Sequence, residues 1–140
     1  MRDPDIRLLS PAPNAIVREL HERLADAGQA LRDDQLETFV LVIDDDNGEM
    51  SAGCKGEIAF RSAHISELWV DDQCRGQGFG RKLLDYAEAN AVKQGCTRIH
   101  LETRSEAARS LYERLGYRVF GQLEGYDGNV PFYYLEKRIG

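Results

Sequence analysis

The sequence predicts an α/β (mixed α+β) fold in which helices cover a mixed sheet. The predicted order of elements is β-α-(α)-β-β-β-α-β-α-β-β, so runs of strands lie between amphipathic helices. A change of period after Gly80 supports this order, because strand-like alternation gives way to apolar residues at helical spacing. The 140 residues suit one compact domain, predicted over 1–140.

The N-terminal third is predicted to contain a strand, a helix and a second strand. Residues 6–9 form a short apolar run typical of an edge strand, which the prolines of "SPAPN" end. Asn14 is a candidate cap for a helix through "AIVRELHERLADAGQAL". "RDDQLE" is interpreted as a polar loop or a short second helix, and residues 38–43 as a strand, because β-branched and aromatic residues are frequent there. The helix is predicted from apolar residues at helical spacing, namely Ile16, Val17, Leu20, Leu24 and Ala25.

The middle of the chain predicts a hairpin and a third strand. Asn47-Gly48 is a strong turn signal, and a strand over about 51–60 should follow it. After a tight connection at "RSAH", residues 64–70 form the next strand.

The C-terminal half predicts two helices and three strands. The first helix carries the apolar positions Leu83, Leu84, Ala87 and Ala91. Gly95 is placed to end it, and "TRIHLET" alternates as a strand. Ser105 is a candidate N-cap for a helix that stops at Gly116. "YRVFGQL" and "PFYYLEKRI" are two closing strands.

Composition narrows the class of protein. The formal net charge of −6 argues against a general nucleic-acid-binding surface. The three cysteines form no C-x-x-C pair, so neither a disulfide framework nor a zinc site is expected, and a reducing compartment fits better. No apolar leader and no membrane-length run is present, so a cytoplasmic protein without a membrane partner is expected.

Three alternating glycines, Gly76, Gly78 and Gly80, separate the third predicted strand from a helix. A helix N-terminus carries unpaired N–H groups and a partial positive charge, and glycines let its backbone approach an anion. The stretch is therefore a candidate phosphate cradle. The P-loop pattern fails because Arg81 and Lys82 follow the last glycine, and the dinucleotide pattern fails because its third glycine comes one residue early. A tight strand-to-helix turn that binds no ligand is the alternative interpretation of these glycines.

Two motifs carry a family resemblance. The stretch 75–80, "RGQGFG", resembles the R/Q-x-x-G-x-G/A signature of the GNAT superfamily of acyl-CoA-dependent N-acetyltransferases. The stretch 108–121, "ARSLYERLGYRVFG", resembles a second hallmark of that superfamily. The resemblance covers about residues 40–139 and is specific over 64–121. It implies a GNAT-type fold: a mixed, mostly antiparallel twisted sheet of six to seven strands, flanked by about four helices.

The resemblance implies acetyl-CoA as cosubstrate, with no metal. The backbone of Leu68, Trp69 and Val70 would meet the pantetheine arm, and Arg81 a phosphate. Lys82 is a weaker candidate, because basic residues in a first helical turn often only face solvent. The pyrophosphate would be held by N–H groups of Arg75, Gly76, Gln77, Gly78, Phe79 and Gly80.

Two residues are candidates for the chemistry. Tyr112 matches the tyrosine that the family commonly uses near the sulfur of coenzyme A, as acid or as a donor to the thiolate; core packing is the alternative. Glu67 is the candidate base, by its position in the strand that leads to the glycines. Strand alternation would place Ile65, Glu67 and Trp69 on one face, and a carboxylate among apolar residues is suited to accept a proton near neutral pH. A water relay remains the alternative.

Other positions are less specific. Ser105 stands where the family often has asparagine, so it is predicted as both a helix cap and a weak cofactor contact. The single histidines, among them His64 and His100, are predicted to be structural. The C-terminal aromatic residues, with Glu124 and Asp127, could recognise a cationic amine, although an edge strand with a core face is the preferred interpretation for Phe132 and Tyr134.

The predicted activity is transfer of the acetyl group of acetyl-CoA to a primary amine of a small molecule, by direct attack in a ternary complex. A protein or peptide amine is one alternative, and a non-catalytic acyl-CoA sensor is another. The resemblance implies a homodimer as one option, since homodimers are frequent in the family, and the C-terminal strand is a plausible edge for pairing.

Overall fold

The structure is a computed structural model that describes residues 4–140. Residues 1–3, with which the predicted domain begins, lie outside the described residues. The chain falls into two compact units that divide between Leu36 and Glu37. The first unit contains helix α1, Asn14–Asp26, and one 3-10 turn at Asp33–Gln35, where a loop or a short helix was expected.

The predicted helix in this first unit is confirmed, with different ends. Pro13 is the N-cap and Asn14 is already the first helical residue, so Asn14 does not cap. The helix ends before Gly28, whose φ of +74° cannot continue it. Of its apolar positions only Ala25 is buried. The expected strand over 6–9 is wrong: these residues form no strand and are exposed, because an extended segment needs a partner to pair its backbone.

The second unit consists of six strands and two helices, in the order that the sequence predicted. Most ends lie within two residues of the expected ones. The elements are β1 Glu37–Asp44, β2 Met50–Ala59, β3 Ser62–Val70, α2 Phe79–Lys93, β4 Arg98–Thr103, α3 Glu106–Arg114, β5 Arg118–Asp127 and β6 Val130–Arg138.

The strands form one sheet in the order β1-β2-β3-β4-β6-β5. Only β3 and β4 run parallel, joined by the crossover helix α2; all other neighbours are antiparallel. The predicted mixed, mostly antiparallel sheet of six to seven strands is confirmed with six, while the described residues hold three α-helices rather than about four. The C-terminal strand is not an edge, because β6 lies between β4 and β5 and pairs with both. The expectation that it offers a free edge is wrong.

Both helices of this unit cover one face of the sheet. Helix α2 packs on β1, β2 and β3, and α3 packs on β4 and β5. The hydroxyl of Tyr117 donates to Glu88 Oε2 of α2 at 2.9 Å, which ties the end of α3 to α2. None of the helices described between residues 4 and 140 is long and apolar enough to cross a membrane. The predicted helix positions Leu83, Leu84, Ala87 and Ala91 are all buried in this core, with Ile99 and Leu135.

Candidate active site

A gap opens between the two parallel strands. β3 and β4 pair through only three residues each, from Ser62↔Arg98 to His64↔His100. Beyond that step β3 runs on to Val70 along β2, and β4 runs on to Thr103 along β6. The facing edges of the strands beyond His64 and His100 are therefore unpaired with each other, and their backbone groups can bind an extended ligand.

A β-bulge in β3 decides which side chains point into the core. Lys55 of β2 pairs with Glu67 while the next residue, Gly56, pairs with Ile65, so Ser66 is an extra residue in β3. The bulge shifts the alternation. Ile65 is buried in the core, and Glu67 lies on the other side of the sheet. The expectation that Ile65 shares a face with Glu67 is therefore wrong.

Glu67 is exposed. The expectation that apolar side chains surround its carboxylate is therefore wrong. Trp69 is on the same side and is 49% exposed. Leu68 and Val70, on the opposite side, pack against the core. Their backbone pairs with β2 on one edge only, so the other edge faces the gap.

The glycine loop, residues 71–80, joins β3 to α2. Asp71 caps a 3-10 turn by accepting a hydrogen bond from Gln73 N–H at 3.1 Å. Gly76 and Gly78 both have φ of +80°, a conformation that costs other residues energy. A Cβ atom at either position would meet nothing within 4 Å, so the space in front of them is open.

The backbone of this loop presents unpaired donors. Within residues 37–140, the N–H groups from Gly76 to Arg81 donate no hydrogen bond, and the first one used in the helix is Lys82 N–H to Gly78 O at 3.0 Å. Successive N–H groups around left-handed glycines form a concave anion site, and the α2 N-terminus adds its positive partial charge. This arrangement can hold a pyrophosphate.

Basic side chains flank the loop without converging on it. Arg75 forms an ion pair with Asp72 at 3.0 Å, and Arg81 lies 3.8 Å from Asp85. The Lys82 ammonium lies 6.0 Å from the centre of the Phe79 ring. These side chains are exposed, so each can turn toward an anion. Gln77 is likewise exposed, and Phe79 packs against the core.

Tyr112 of α3 is in the same hydrophobic cluster as Leu68, Val70 and Phe79. Its ring is 8% exposed, and among the described residues its hydroxyl forms no hydrogen bond. Burial raises the pKa of Tyr112, and nearby Cys54 adds to the rise, so the hydroxyl keeps its proton at neutral pH. A protonated, unpartnered hydroxyl can donate a hydrogen bond.

Ser105 is the N-cap of α3, as predicted. Its Oγ accepts the Ala108 N–H at 3.1 Å, and its own N–H donates to Thr103 Oγ1 at 3.0 Å. The cap uses one acceptor position of the Ser105 hydroxyl, and its O–H is left to donate to a ligand.

The C-terminal aromatic residues divide between the faces of β6. Tyr133 faces the core and donates to Glu106. Phe132 and Tyr134 lie on the other face, are half-buried, and have their ring centroids 5.1 Å apart. The expectation that these two side chains face the core is therefore wrong. Asp127 is ion-paired with Arg104 at 3.0 Å and its charge is already compensated.

Sequence reasoning missed a cluster on the face of the sheet that α2 and α3 leave uncovered. His64 Nε2 lies 2.6 Å from Glu102 Oε1, and its ring stacks on His100 with centroids 4.8 Å apart. The spacing of His100 and Glu102 by two residues in one strand was a signal that both share a face. Their meeting with His64 depends on the β3–β4 pairing.

Known proteins resemble this chain in sequence and fold. The family model described as acetyltransferase (GNAT) family matches residues 7–117. Blasticidin-S acetyltransferase of Streptomyces morookaense is 31% identical over 105 residues, 74% of this chain and 77% of that protein. Acetyltransferase Atu2258 of Agrobacterium fabrum is 31% identical over 128 residues, 82% of this chain and 93% of that protein.

A solved structure also resembles this chain in fold. The crystal structure of an acetyltransferase from Bacillus cereus superposes with a TM-score of 0.83 at 27% identity, covering 95% of this chain and 98% of that one.

Proposed function

The chain belongs to the GNAT family of acetyltransferases, and from this premise we propose that it transfers the acetyl group of acetyl-CoA to a primary amine of a small molecule. The observation that carries the proposal is the run of unpaired N–H groups from Gly76 to Arg81. These donors suit the pyrophosphate of coenzyme A, and the residues of the loop fit the group that the family uses.

We propose that the pantetheine arm lies in the gap between β3 and β4. The free backbone edge of Leu68, Trp69 and Val70 would pair with its amides, and the pyrophosphate would lie at the glycine loop. Arg75 and Arg81 would contact phosphates from the rim. The Ser105 hydroxyl is the weakest of the proposed contacts, because it already caps α3.

Bound acetyl-CoA supplies an activated thioester to a neutral amine. The Tyr112 hydroxyl would donate its hydrogen bond or proton to the departing thiolate, and its raised pKa keeps that proton available. Glu67, or a water relay, would remove the proton from the attacking ammonium. Direct attack in a ternary complex needs no covalent intermediate on the protein.

We propose that the acceptor is a small amine because the chain resembles an enzyme named for a small antibiotic, blasticidin S. A protein or peptide amine is the second candidate. A sensor without turnover is disfavoured, since Tyr112 is present and its hydroxyl is unpartnered.

We further propose one catalytic domain, because the family match over 7–117 spans both compact units. Three unpaired cysteines favour a reducing compartment such as the cytoplasm. A homodimer remains a prediction, and any pairing of sheet edges would use β1 or β5.

The loop assignment is tested by calorimetric titration of acetyl-CoA and coenzyme A into the wild type, Gly78→Glu and Gly48→Glu. Gly48 is a matched control, because it has the same φ of +80° and equally open surroundings in the β1–β2 turn. We expect micromolar binding to the wild type and Gly48→Glu, and loss of binding in Gly78→Glu. No binding to the wild type, or equal loss in both variants, contradicts the assignment.

The acceptor is then tested by following thiol release from acetyl-CoA with a panel of amines. The panel contains blasticidin S, polyamines, amino acid derivatives and peptides with free N-termini. Turnover with small amines only supports the proposal, and turnover with peptides only contradicts it.

A further inference from the structure

His64 is held in the last paired step of β3 and β4, on the face of the sheet opposite α2 and α3. Its strand neighbours Ala63 and Ile65 are buried in the core on the helix side, so the imidazole points to the other side. It pairs across the sheet with Glu57 on β2 and with His100 on β4. One third of its side chain is exposed, so solvent reaches it.

The contact with Glu102 decides which nitrogen of His64 carries the proton. Nε2 lies 2.6 Å from Glu102 Oε1, and a carboxylate only accepts, so the hydrogen is on Nε2. Nδ1 of the neutral ring is then a bare lone pair. It forms no hydrogen bond within the described residues, and Glu57 Oε2 lies 3.5 Å from it.

One carboxylate oxygen of Glu57 accepts hydrogen bonds, and the other accepts none from the described residues. Its Oε1 accepts from Lys55 Nζ at 3.1 Å and from Ser66 Oγ at 3.1 Å. Its Oε2 is fully enclosed and has no donor among the described residues. A buried carboxylate oxygen without a donor is costly, and a proton on His64 Nδ1 would supply the missing N–H at that place. The site is therefore built to receive one proton.

We propose that His64, oriented by Glu102, is the end point of the water relay that deprotonates the acceptor amine. The assignment rests on the proposed function and deepens it. The N–H bond of the ammonium breaks and an N–H bond forms at His64 Nδ1, so the amine becomes a neutral nucleophile and the imidazole an imidazolium between two carboxylates. After transfer the proton leaves Nδ1 to water, and the ring returns to its neutral form.

The position of His64 agrees with this role. The gap between β3 and β4, where the thioester arm is proposed to lie, begins directly after His64 and His100. The bulge at Ser66 brings a second polar side chain to the same face, bonded to Glu57. Exposed Glu67, three residues further along, lacks such a shell of carboxylates.

Charged side chains surround the His64 ring. Glu57 and Glu102 face it directly, and Lys55 is engaged with Glu57. Arg98 lies 3.6 Å from Glu136, beside His100. Burial, followed by the charge of His64, lowers the pKa of His100, so the stacked ring stays neutral and does not compete for the proton.

A metal ion is a poorer occupant of the same cluster. Ligand atoms of His64, His100 and Glu102 lie within 4.8 Å of one another. An ion held by two imidazoles lies near both ring planes, about 2 Å from a nitrogen of each. The two rings are stacked with an interplanar angle of 18°, so their planes do not meet at that distance.

The test compares His64→Gln with His100→Gln, its stacked neighbour, in steady-state kinetics over pH 5.5–9. We expect His64→Gln to lower kcat about 100-fold and to lose the acidic limb of the kcat profile, with KM for acetyl-CoA nearly unchanged. His100→Gln should keep the limb and most of kcat. Calorimetric binding of acetyl-CoA to both variants verifies that the fold and cofactor site survive.

Three results would overturn the proposal. His64→Gln could keep the acidic limb, Glu67→Gln could lose it instead, or EDTA could abolish activity that zinc restores. Nitrogen NMR of labelled histidines, measured on the wild type with His64→Gln for assignment, is independent of turnover. It must find the His64 proton on Nε2, and a proton on Nδ1 of the neutral ring refutes the assignment. If the wild type binds no acetyl-CoA, the proposed function fails while this spectrum still decides the tautomer.

Discussion

Tyr112 and Tyr117 are two buried tyrosines of one core, with ring centroids 6.0 Å apart, yet their hydroxyls differ. Tyr117 donates to Glu88 at 2.9 Å. Tyr112 has no partner among the described residues, although burial raises the pKa of both phenols. The Tyr112 hydroxyl is not among the fully enclosed side-chain atoms that lack a partner, so it reaches solvent and is free to donate to a ligand.

The two tyrosines give a matched pair of variants. We expect Tyr112→Phe to lower kcat about 10- to 100-fold without changing the free energy of unfolding, because the lost hydroxyl has no partner. Tyr117→Phe should keep kcat and lose about 2 kcal/mol of stability, the size of a hydrogen bond to a carboxylate. Steady-state kinetics and urea unfolding measure both. A stability loss in Tyr112→Phe equal to that of Tyr117→Phe would indicate a structural hydroxyl instead.

At the scale of single residues, sequence reasoning found the groups with a local signature. The cap at Ser105 and the turn at Asn47-Gly48 formed as predicted, because their hydrogen bonds close within four residues. His64 has no local signature. Its partners Glu57 and Glu102 are 7 and 38 residues away in the chain, so only the paired strands bring the three together.

At the scale of elements, β3 carries the feature that shapes the site. Because Ser66 is an extra residue in β3, Glu67 and Trp69 point away from the core, and Leu68 and Val70 pack against it. A strict alternation cannot reveal a bulge, because the bulge is defined by the pairing with Lys55 and Gly56 on β2.

Two variants in helix α3 can separate the capping role of Ser105 from its proposed contact with the cofactor. We expect Ser105→Ala to cost about 1 kcal/mol of stability, because the Ala108 N–H loses its acceptor, and to leave acetyl-CoA affinity within about twofold. Ser110→Ala, at an exposed position in the same helix, should cost nothing. Urea unfolding and calorimetry measure the two effects. A large loss of affinity in Ser105→Ala alone would restore the residue as a cofactor contact.

At the scale of the whole molecule, the second unit uses the two faces of its sheet differently. The face under α2 and α3 holds the apolar core, with the uncharged groups of Cys54, Tyr112 and Tyr117, and one ion pair between Lys137 and Glu88. The other face carries the paired charges around His64 and Glu136. Because these three groups are buried in their uncharged form, the free energy of unfolding should change with pH in the alkaline range.

Stability should fall above about pH 9. Burial raises the pKa of the Cys54 thiol from 9.0 to about 11, and it also raises those of Tyr112 and Tyr117. The unfolded chain then releases these protons at lower pH than the folded protein, so the free energy of unfolding falls as pH rises through this window. Cys54 alone accounts for about 2–3 kcal/mol between pH 9 and 11.

The measurement is urea unfolding under reducing conditions from pH 7.5 to 10.5, followed by the fluorescence of the single tryptophan, Trp69. Cys54→Ala is the control, and its decline should be shallower. Equal free energies at pH 8 and 10.5 in the wild type would show that these groups are not buried.

Features that depend on short stretches of chain could be predicted from the residues alone. Helices α2 and α3, the β1–β2 turn and the glycine-rich turn before α2 follow from periodicity, caps and turn residues. The tertiary structure alone decided the place of β6 inside the sheet, the bulge at Ser66, the gap beyond His64 and the meeting of His64 with Glu57 and Glu102. The physical reason is that strand order and register are set by hydrogen bonds and packing between segments far apart in the chain, which no local pattern records.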